Sequence, residues 1–255
     1  MSIISVQNLS KTFIVPHQKR TTLKESFIDF WRPKSYEKFA ALTDLNFQIE
    51  PGEFVGIIGQ NGCGKSTLLK LLANIYRPDS GKVEVHGRIA PLLELGIGFQ
   101  QELSARENIF INGTLLGLQP RKIRELLPQI VEFAEIGHFL DLKVKNFSSG
   151  MRQRLAFAIA AHLDADIYLC DEVLAVGDEN FQQKCLATFA QWSAEGKTII
   201  LVSHNASQIE QICTRAIYLE KGIIRADSLP SSVLSLYHAD LDHFSTGQTT
   251  DSPLP

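Results

Sequence analysis

The sequence predicts an α/β fold with a buried parallel sheet, and three apolar stretches carry that prediction. Phe54–Ile58 is typical of a buried strand, and it is followed by a glycine-rich loop and by Thr67–Ala73, whose leucines recur at helical spacing. Ile167–Cys170 and Thr198–Val202 are short and continuous, as in strands covered on both faces. The order strand, loop, helix places the loop at the carboxyl end of a sheet strand, where ligands bind.

Two segments before this core alternate between apolar and polar residues. Ile3–Leu9 alternates like an edge strand, and Leu42–Ile49 alternates again before a Pro51-Gly52 turn. We therefore expect an antiparallel β subdomain at the entry to the α/β core.

Residues 14–40, between these two strands, form a candidate insertion. The segment is basic at first and then amphipathic, with large apolar side chains at helix-like spacing: Leu23, Phe27, Phe30 and Trp31. Two interpretations stay open. The helix packs this stripe on its own domain, or it lies at a membrane surface against lipid headgroups or a membrane partner.

Residues 104–163 are nearly all helical in pattern, and Ser104-Ala-Arg-Glu107 has the spacing of a capping box. This segment predicts an α-helical subdomain inserted into the core, within one domain that spans residues 1–244. Residues 245–255 are rich in Ser, Thr, Asp and Pro, and we expect them to be disordered.

Composition narrows the classes of function. The 255 residues are 44% hydrophobic, enough for a sizeable core, and the net charge of −3 argues against nucleic acid as a partner because phosphate-backbone binders usually carry a basic excess. The four cysteines lack C-x-x-C spacing, so we expect reduced thiols rather than a disulfide or zinc framework. No apolar stretch reaches the length of about 18 residues that spans a bilayer, so membrane-spanning helices would have to come from a partner.

The glycine-rich loop fits the phosphate-binding P-loop pattern G-x-x-x-x-G-K-[ST]. Its candidate nucleotide-binding residues are Gly59, Gln60, Asn61, Gly62, Cys63, Gly64, Lys65, Ser66 and Thr67. The glycines let backbone N–H groups curl around phosphate oxygens, Lys65 reaches the β- and γ-oxygens, and Ser66 can bind Mg²⁺. The pattern predicts a nucleotide site but defines only a superfamily.

Asp171 and Glu172 stand at the carboxyl end of a predicted strand. Asp171 is suited to the Mg²⁺ shell, and Glu172 is suited to orient or deprotonate an attacking water. Adjacent carboxylates after a strand can also be a turn or a helix cap. The P-loop upstream favours the catalytic interpretation.

The segment from Asn146 to Leu155 begins with small residues and continues as a helix, and at this distance before Asp171 it resembles the signature loop of ABC ATPases. Its candidate nucleotide-binding residues are Ser148, Ser149 and Gly150; Ser149 stands where the family usually has Gly, and Met151 where it usually has Gln. Ser148, Gly150 and the helix dipole suffice to bind a γ-phosphate presented by a second subunit. The resemblance implies a RecA-like P-loop NTPase core that binds ATP and Mg²⁺ and works as a head-to-tail homodimer.

Four further positions resemble ABC motifs. Gln100 resembles the Q-loop glutamine at the Mg²⁺ and water site, with the adjacent Gln101 as an alternative. Asp178 resembles the D-loop aspartate, and His204 resembles the switch histidine that contacts the γ-phosphate. Phe13 resembles the aromatic residue that stacks on adenine, although it could equally be a core residue.

Several sequence segments resemble, within the ABC family, those of the ATPase subunits of bacterial polysaccharide exporters of the O-antigen and teichoic-acid type. These segments begin at Leu92, Arg106, Asp171 and Phe181. The resemblance implies a peripheral ATPase at the cytoplasmic face of the inner membrane, which drives export of a lipid-linked polysaccharide through multi-span permease subunits. The alternatives are the ATPase of a lipid, peptide or drug exporter, or a soluble ABC protein of translation or DNA repair.

Overall fold

The structure, a computed structural model, describes residues 1–16, 36–93, 96, 98–173 and 177–246. The strands of this part of the chain are β1 (Ile4–Pro16), β2 (Tyr36–Ile49), β3 (Phe54–Ile58), β4 (Ser80–Val85), β5 (Ile89–Leu92), β6 (Ile167–Asp171), β7 (Thr198–Val202), β8 (Arg215–Glu220) and β9 (Ile223–Ser228). The helices are α1 (Lys65–Leu72), α2 (Ala105–Leu115), α3 (Pro120–Ala134), α4 (Ser149–Ala161), α5 (Glu179–Ala194), α6 (Ala206–Ile212) and α7 (Pro230–Thr246).

The larger sheet has six strands in the order β5-β6-β7-β3-β8-β9, all parallel except β9, which is antiparallel to β8. Every residue of β3 and of β7 is buried, because helices cover one face of the sheet, and α1 together with the antiparallel strands β1 and β2 covers the other. The predicted α/β fold with buried parallel strands is confirmed.

The strand register aligns three carboxyl ends at one edge of this sheet. Ile57 of β3 and Asp171 of β6 both pair with Val202 of β7. The residues that follow each strand therefore emerge side by side, at the edge where open α/β sheets bind ligands.

The smaller sheet is antiparallel, with the order β2-β1-β4. The prediction that residues 3–9 form an edge strand is wrong, because β1 lies in the centre and pairs with a strand on each side. Ile4 and Val6 are buried and alternate with polar residues, and such alternation does not distinguish an edge strand from a central one.

The ends of the candidate insertion are strand rather than helix. Residues 14–16 belong to β1 and residues 36–40 belong to β2. The two segments pair with each other, Ile14 opposite Lys38 and Pro16 opposite Tyr36. The predicted amphipathic helix falls on residues 17–35, which lie outside the described residues, as do its four apolar positions.

Residues 104–163 contain helices and turns in the structure, with one isolated bridge between Ser104 and Lys143. Helices α2, α3 and α4 bury a cluster of their own, which includes Ile109, Ile123, Ile130, Leu155 and Ile159. This cluster gives the helical region an apolar core separate from that of the large sheet.

Helix α7 packs against the large sheet, and Tyr237 meets Tyr218 of β8 edge to face with ring centroids 5.3 Å apart. The helix continues to Thr246, past the point at which the sequence predicted disorder, and residues 247–255 lie outside the described part of the chain. Among the described residues, no helix has the length and hydropathy needed to cross a bilayer.

The capping box of α2 is present as predicted and allows a stability test. Ser104 Oγ accepts the Glu107 N–H, and the Glu107 carboxylate accepts the Ser104 N–H at 2.8 Å. We expect Ser104→Ala to lower the free energy of unfolding by about 1 kcal/mol in urea denaturation, because it leaves a helix-end N–H without its acceptor. Ser235→Ala on α7, whose hydroxyl only donates to Ser231 O, is the control and should change stability by less than about 0.5 kcal/mol. Equal losses in the two variants would contradict a capping contribution.

Candidate functional site

The glycine-rich loop joins β3 to α1, and its backbone leaves no room for side chains where it meets β2. Gly64 has φ +111°, and a Cβ there would lie 2.6 Å from Leu42 Cδ2 and 2.7 Å from Ala41 O. Gly64 also supplies no side-chain cap for α1, so the first N–H groups of that helix need another acceptor. Free N–H groups at a helix N-terminus form an anion-binding site.

Lys65 places a buried positive charge inside this loop. Its ammonium group is held by two backbone carbonyls, with Nζ 2.7 Å from Gly59 O and 3.0 Å from Gln60 O, and the residue is only 7% exposed. No carboxylate in the described part of the chain forms an ion pair with it. A buried cation that is hydrogen-bonded but not neutralised favours the binding of an anion beside it.

A cavity of about 470 Å³ opens over this loop. Its lining residues are Phe13, Phe39, Ala41, Asn61, Gly62, Gly64, Lys65, Ser66, Thr67, Leu93, Asp171 and Glu172. Most of the predicted P-loop residues are therefore brought together with the predicted carboxylates and Phe13. Gly59 and Gln60 act through the carbonyls that bind Lys65, and Cys63 lies buried beneath the loop, where burial raises the pKa of its thiol.

Three further residues line this cavity without belonging to a sequence motif of the predicted site: Phe39, Ala41 and Leu93. Phe39 fell within the segment that was interpreted as an insertion with helical spacing. Residues 37–42 read Glu-Lys-Phe-Ala-Ala-Leu and do not alternate between polar and apolar residues, so the local pattern carries no strand signal for Phe39.

Asp171 and Ser66 form the oxygen-rich side of the cavity. Burial raises the pKa of Asp171, while a hydrogen bond from the Ser66 hydroxyl opposes that shift. A desolvated carboxylate beside a hydroxyl is a donor set of hard oxygens, which is the type that Mg²⁺ prefers. These two residues fit a bound Mg²⁺, which would neutralise the carboxylate of Asp171.

Glu172 has an unusual backbone conformation. Its φ is +53°, in the left-handed region that a glutamate rarely adopts, and its N–H donates to Val202 O at 3.0 Å. Such strain persists only where surrounding contacts enforce it, and it is found most often at active sites. The turn directs Glu172 toward the cavity, beside Asp171.

His204 follows β7 and lies next to Glu172, with Nδ1 3.2 Å from Oε1. The two side chains are 63% and 46% exposed, so both remain open to water and ligand. Glu172 also lines a neighbouring polar cavity of about 210 Å³ together with His204. A carboxylate held by an imidazole between two water-accessible spaces is suited to orient a water molecule.

Gln100 is placed differently from the other predicted residues. Its N–H donates to Asn108 Oδ1 at 2.7 Å, and Asn108 Nδ2 donates back to Gln100 O at 3.0 Å. The Gln100 side chain is exposed and is not among those that line the Lys65 cavity. Asn108, which is fully buried and which the sequence analysis missed, therefore fixes the backbone of this loop.

The predicted signature loop lies at a different cavity, of about 540 Å³. Ser148 caps α4 by accepting the Met151 N–H at 3.1 Å, and Ser148, Ser149, Gly150 and Asp178 all line this space. This second cavity shares no lining residue with the Lys65 cavity. The chain thus presents two separate candidate phosphate-binding surfaces.

Arg154 connects helix α4, which follows the predicted signature loop, to Asp178, the predicted D-loop residue. Its guanidinium donates to the carboxylates of Glu135, at the end of α3, and Asp178, at the start of α5. Asp178 also accepts the Phe181 N–H at 3.0 Å as the cap of α5, and this bond, together with Arg154, lowers the pKa of Asp178. Asp178 is therefore held in place from two sides.

The sequence matches known proteins over most of its length. A family profile described as ABC transporter matches residues 42–175. The O-antigen export system ATP-binding protein RfbB of Klebsiella pneumoniae is 39% identical over 92% of this chain and 97% of the relative. The protein of the same name from Myxococcus xanthus is 45% identical, but this chain spans only 51% of its length. The teichoic acids export ATP-binding protein TagH of Bacillus cereus is 38% identical, and the chain spans 43% of it.

Solved structures share the fold at low identity. An ATP-binding subunit of an ABC transporter aligns with a TM-score of 0.75 at 21% identity, covering 94% of this chain and 100% of that one. A dimeric ATP-binding cassette in a post-hydrolysis state bound to ADP and Pi aligns with a TM-score of 0.71 at 22% identity, covering 89% and 98%. The chain belongs to the ABC transporter family, as an ATPase subunit of that family.

The raised pKa of Asp171 predicts a conflict between stability and ligand binding. A carboxyl whose pKa is raised by folding destabilises the folded state at every pH above that pKa, because its charged form is desolvated. We expect Asp171→Asn to raise the free energy of unfolding of the ligand-free protein at pH 7 by about 0.5–2 kcal/mol. In urea denaturation this gain should shrink as the pH falls toward the ordinary pKa of an aspartate side chain, about 4.

Asp164→Asn is the matched control for this test, since Asp164 precedes the same strand but has a pKa lowered by Arg88. It should show no stabilisation. In the wild type, Mg²⁺ with ATP should restore the missing stability, whereas Asp171→Asn should gain less from the same addition. A destabilised Asp171→Asn variant at pH 7 would contradict the argument.

Proposed function

We propose that this chain is the ATP-hydrolysing subunit of a bacterial exporter that moves a lipid-linked cell-surface polysaccharide, such as O-antigen, across the cytoplasmic membrane. The observation that carries the ATPase part is the Lys65 cavity, which combines a buried cation, a Ser66–Asp171 oxygen pair and a strained carboxylate. The names of the relatives, which refer to export of O-antigen and of teichoic acids, support a polysaccharide as the exported substrate.

In this proposal the P-loop binds the triphosphate of ATP. Lys65 would exchange its contacts with the Gly59 and Gln60 carbonyls for phosphate oxygens, and the N–H groups at the start of α1 would bind the same anion. Ser66 and Asp171 would hold Mg²⁺, with Gln100 joining them after movement of its loop. When bound, Mg²⁺ neutralises charge on the phosphates.

Glu172 is the proposed general base. It would accept a proton from the water that attacks the γ-phosphorus, and His204 would hold the carboxylate in position and contact the γ-phosphate. The bond between the γ-phosphorus and the bridging oxygen then breaks, leaving ADP and inorganic phosphate. The strained turn at Glu172 fixes the base without requiring it to reorganise in each cycle.

A second copy of the chain would complete each site. Ser148, Ser149 and Gly150 line a cavity that shares no residue with the Lys65 cavity, so they are available to a nucleotide held by another chain. Asp178 borders the same surface. Two copies facing head to tail would bury two nucleotides, and the dimeric cassette with ADP and Pi among the structural neighbours is consistent with this arrangement.

The chain would act at the cytoplasmic face of the membrane together with multi-span permease subunits. Closure of the dimer on ATP and its reopening after hydrolysis would bias those subunits between two states. We also propose that the segment around residues 14–40 contacts the membrane surface. An exporter of lipid, peptide or drug would use the same motor, and the relatives' names favour the polysaccharide.

Replacing the proposed base should separate binding from turnover. We expect Glu172→Gln to bind ATP within about threefold of the wild type and to lose at least about a hundredfold in ATP hydrolysis, the usual contribution of a general base. In cells that lack the native gene, wild-type protein should restore the surface polysaccharide and Glu172→Gln should not. Unimpaired hydrolysis would remove Glu172 from this role, and normal surface glycan in the deletion strain would exclude the proposed cargo.

Mixing two inactive variants tests the composite site. Lys65→Ala loses the buried cation, and Gly150→Asp places a negative charge at the phosphate-binding end of α4, in a position where a Cβ meets nothing closer than 3.9 Å. Each should be inactive alone. A mixture should regain up to about a quarter of the wild-type ATPase activity, because half of randomly formed dimers are mixed and each has one whole site.

Gly150→Ala is the control for this mixing experiment, and it should keep most of its activity because the added methyl group fits and carries no charge. No recovery on mixing, with dimers present, would mean that one chain contains a whole site. In that case the head-to-tail arrangement would have to be abandoned.

A further inference from the structure

The Lys65 cavity has an aromatic end whose second ring has no role in the proposed site. Phe13 and Phe39 lie directly opposite each other in the pairing of β1 with β2. Opposed residues of an antiparallel pair project from the same face, with Cβ atoms about 4.5–5.5 Å apart. Both rings line the cavity, and so does Ala41, which the register leaves unpaired at an irregularity of β2.

The two rings differ in how they are held. Phe13 is half-buried and packs edge to face against Tyr76 with centroids 5.6 Å apart, and Lys11 lies over it at 5.6 Å. Phe39 is 51% exposed although it borders a cavity. An exposed apolar ring at a cavity wall gains most from a ligand with a flat, apolar face.

The position of Phe39 is fixed relative to the phosphate end of the cavity. The Thr43 N–H donates to Gly222 O at 2.8 Å, and the Gly222 N–H donates to Cys63 O at 3.0 Å, so one glycine links β2 to the P-loop. The contact is close, because a Cβ on Gly222 would lie 2.6 Å from Ala41 O. The wall that carries Phe39 and the loop that carries Lys65 therefore form one unit.

We infer that Phe39 is a second base-binding residue, which extends the Phe13 ring into a two-ring platform and gives the site a preference for purine over pyrimidine nucleotides. This inference rests on the proposed nucleotide site. A bicyclic purine would present more stacking area to the two rings than a single pyrimidine ring does. The two phenyl rings offer no hydrogen-bonding groups, so the selection is by stacked area.

The test uses nucleotides and inorganic tripolyphosphate, each with Mg²⁺, as ligands in calorimetric titrations. Phe39→Ala should weaken ATP binding roughly tenfold, within the range that one aromatic stack contributes, and should narrow the preference for ATP over CTP. Tripolyphosphate binding should stay within about twofold of the wild type because this ligand has no base. Phe39→Trp should restore ATP affinity, and its fluorescence should change with ATP but not with tripolyphosphate.

Ile14→Ala is the matched control, since Ile14 is 64% exposed, follows Phe13 on the opposite face of β1 and does not line the cavity. It should leave every affinity unchanged. Equal loss of ATP and tripolyphosphate binding in Phe39→Ala, or no loss of either, would overturn the platform. Wild-type protein that binds tripolyphosphate and ATP equally well would also overturn it while leaving the phosphate site standing. Wild-type protein that binds neither ligand would refute the proposed function itself.

Discussion

The buried ammonium group of Lys65 is the constraint on which the rest of the site depends. A desolvated cation held by two carbonyl oxygens and a thiol sulfur, with no carboxylate ion pair among the described residues, is costly, and the surrounding loop is shaped to keep it in place. Gly64 allows the loop to pass beneath β2, and Gly222 connects that strand back to the loop. The antiparallel sheet, the loop and the β8–β9 turn are thereby joined around one charge, and these contacts link the aromatic wall to the phosphate end of the cavity.

The negative charges of Asp171 and Glu172 lie in environments that differ from each other and from that of Lys65. Burial disfavours the charge on Asp171, so the ligand-free protein retains an unfavourable charge that a cation would relieve. Glu172, one residue later, is exposed and strained instead of buried. Two adjacent acidic residues thus have different environments, because Asp171 is half-buried at the end of β6 and a left-handed turn directs Glu172 into the cavity.

Much of this arrangement could be predicted from the sequence, for physical reasons that differ by residue. The loop from Gly59 to Thr67 was predictable because few backbones admit so many glycines beside a lysine. The parallel strands were predictable because continuous apolar runs have few other uses. Phe39 was missed because helical spacing in residues 23–31 was extended over a strand, and Asn108 was missed because a buried amide leaves no periodic trace in the sequence. The place of Gln100 depends on contacts between distant residues, which local patterns do not encode.

The link through Arg154 makes the surface around Ser148 sensitive to ionic strength. One guanidinium holds Glu135 from α3 and Asp178 from the loop before α5, and both carboxylates are largely exposed to solvent. At about 1 M salt the screening length falls to about 3 Å, so these pairs weaken, while the buried contacts of Lys65 are far less affected. High salt should therefore loosen the contacts around Ser148 and leave the loop around Lys65 intact.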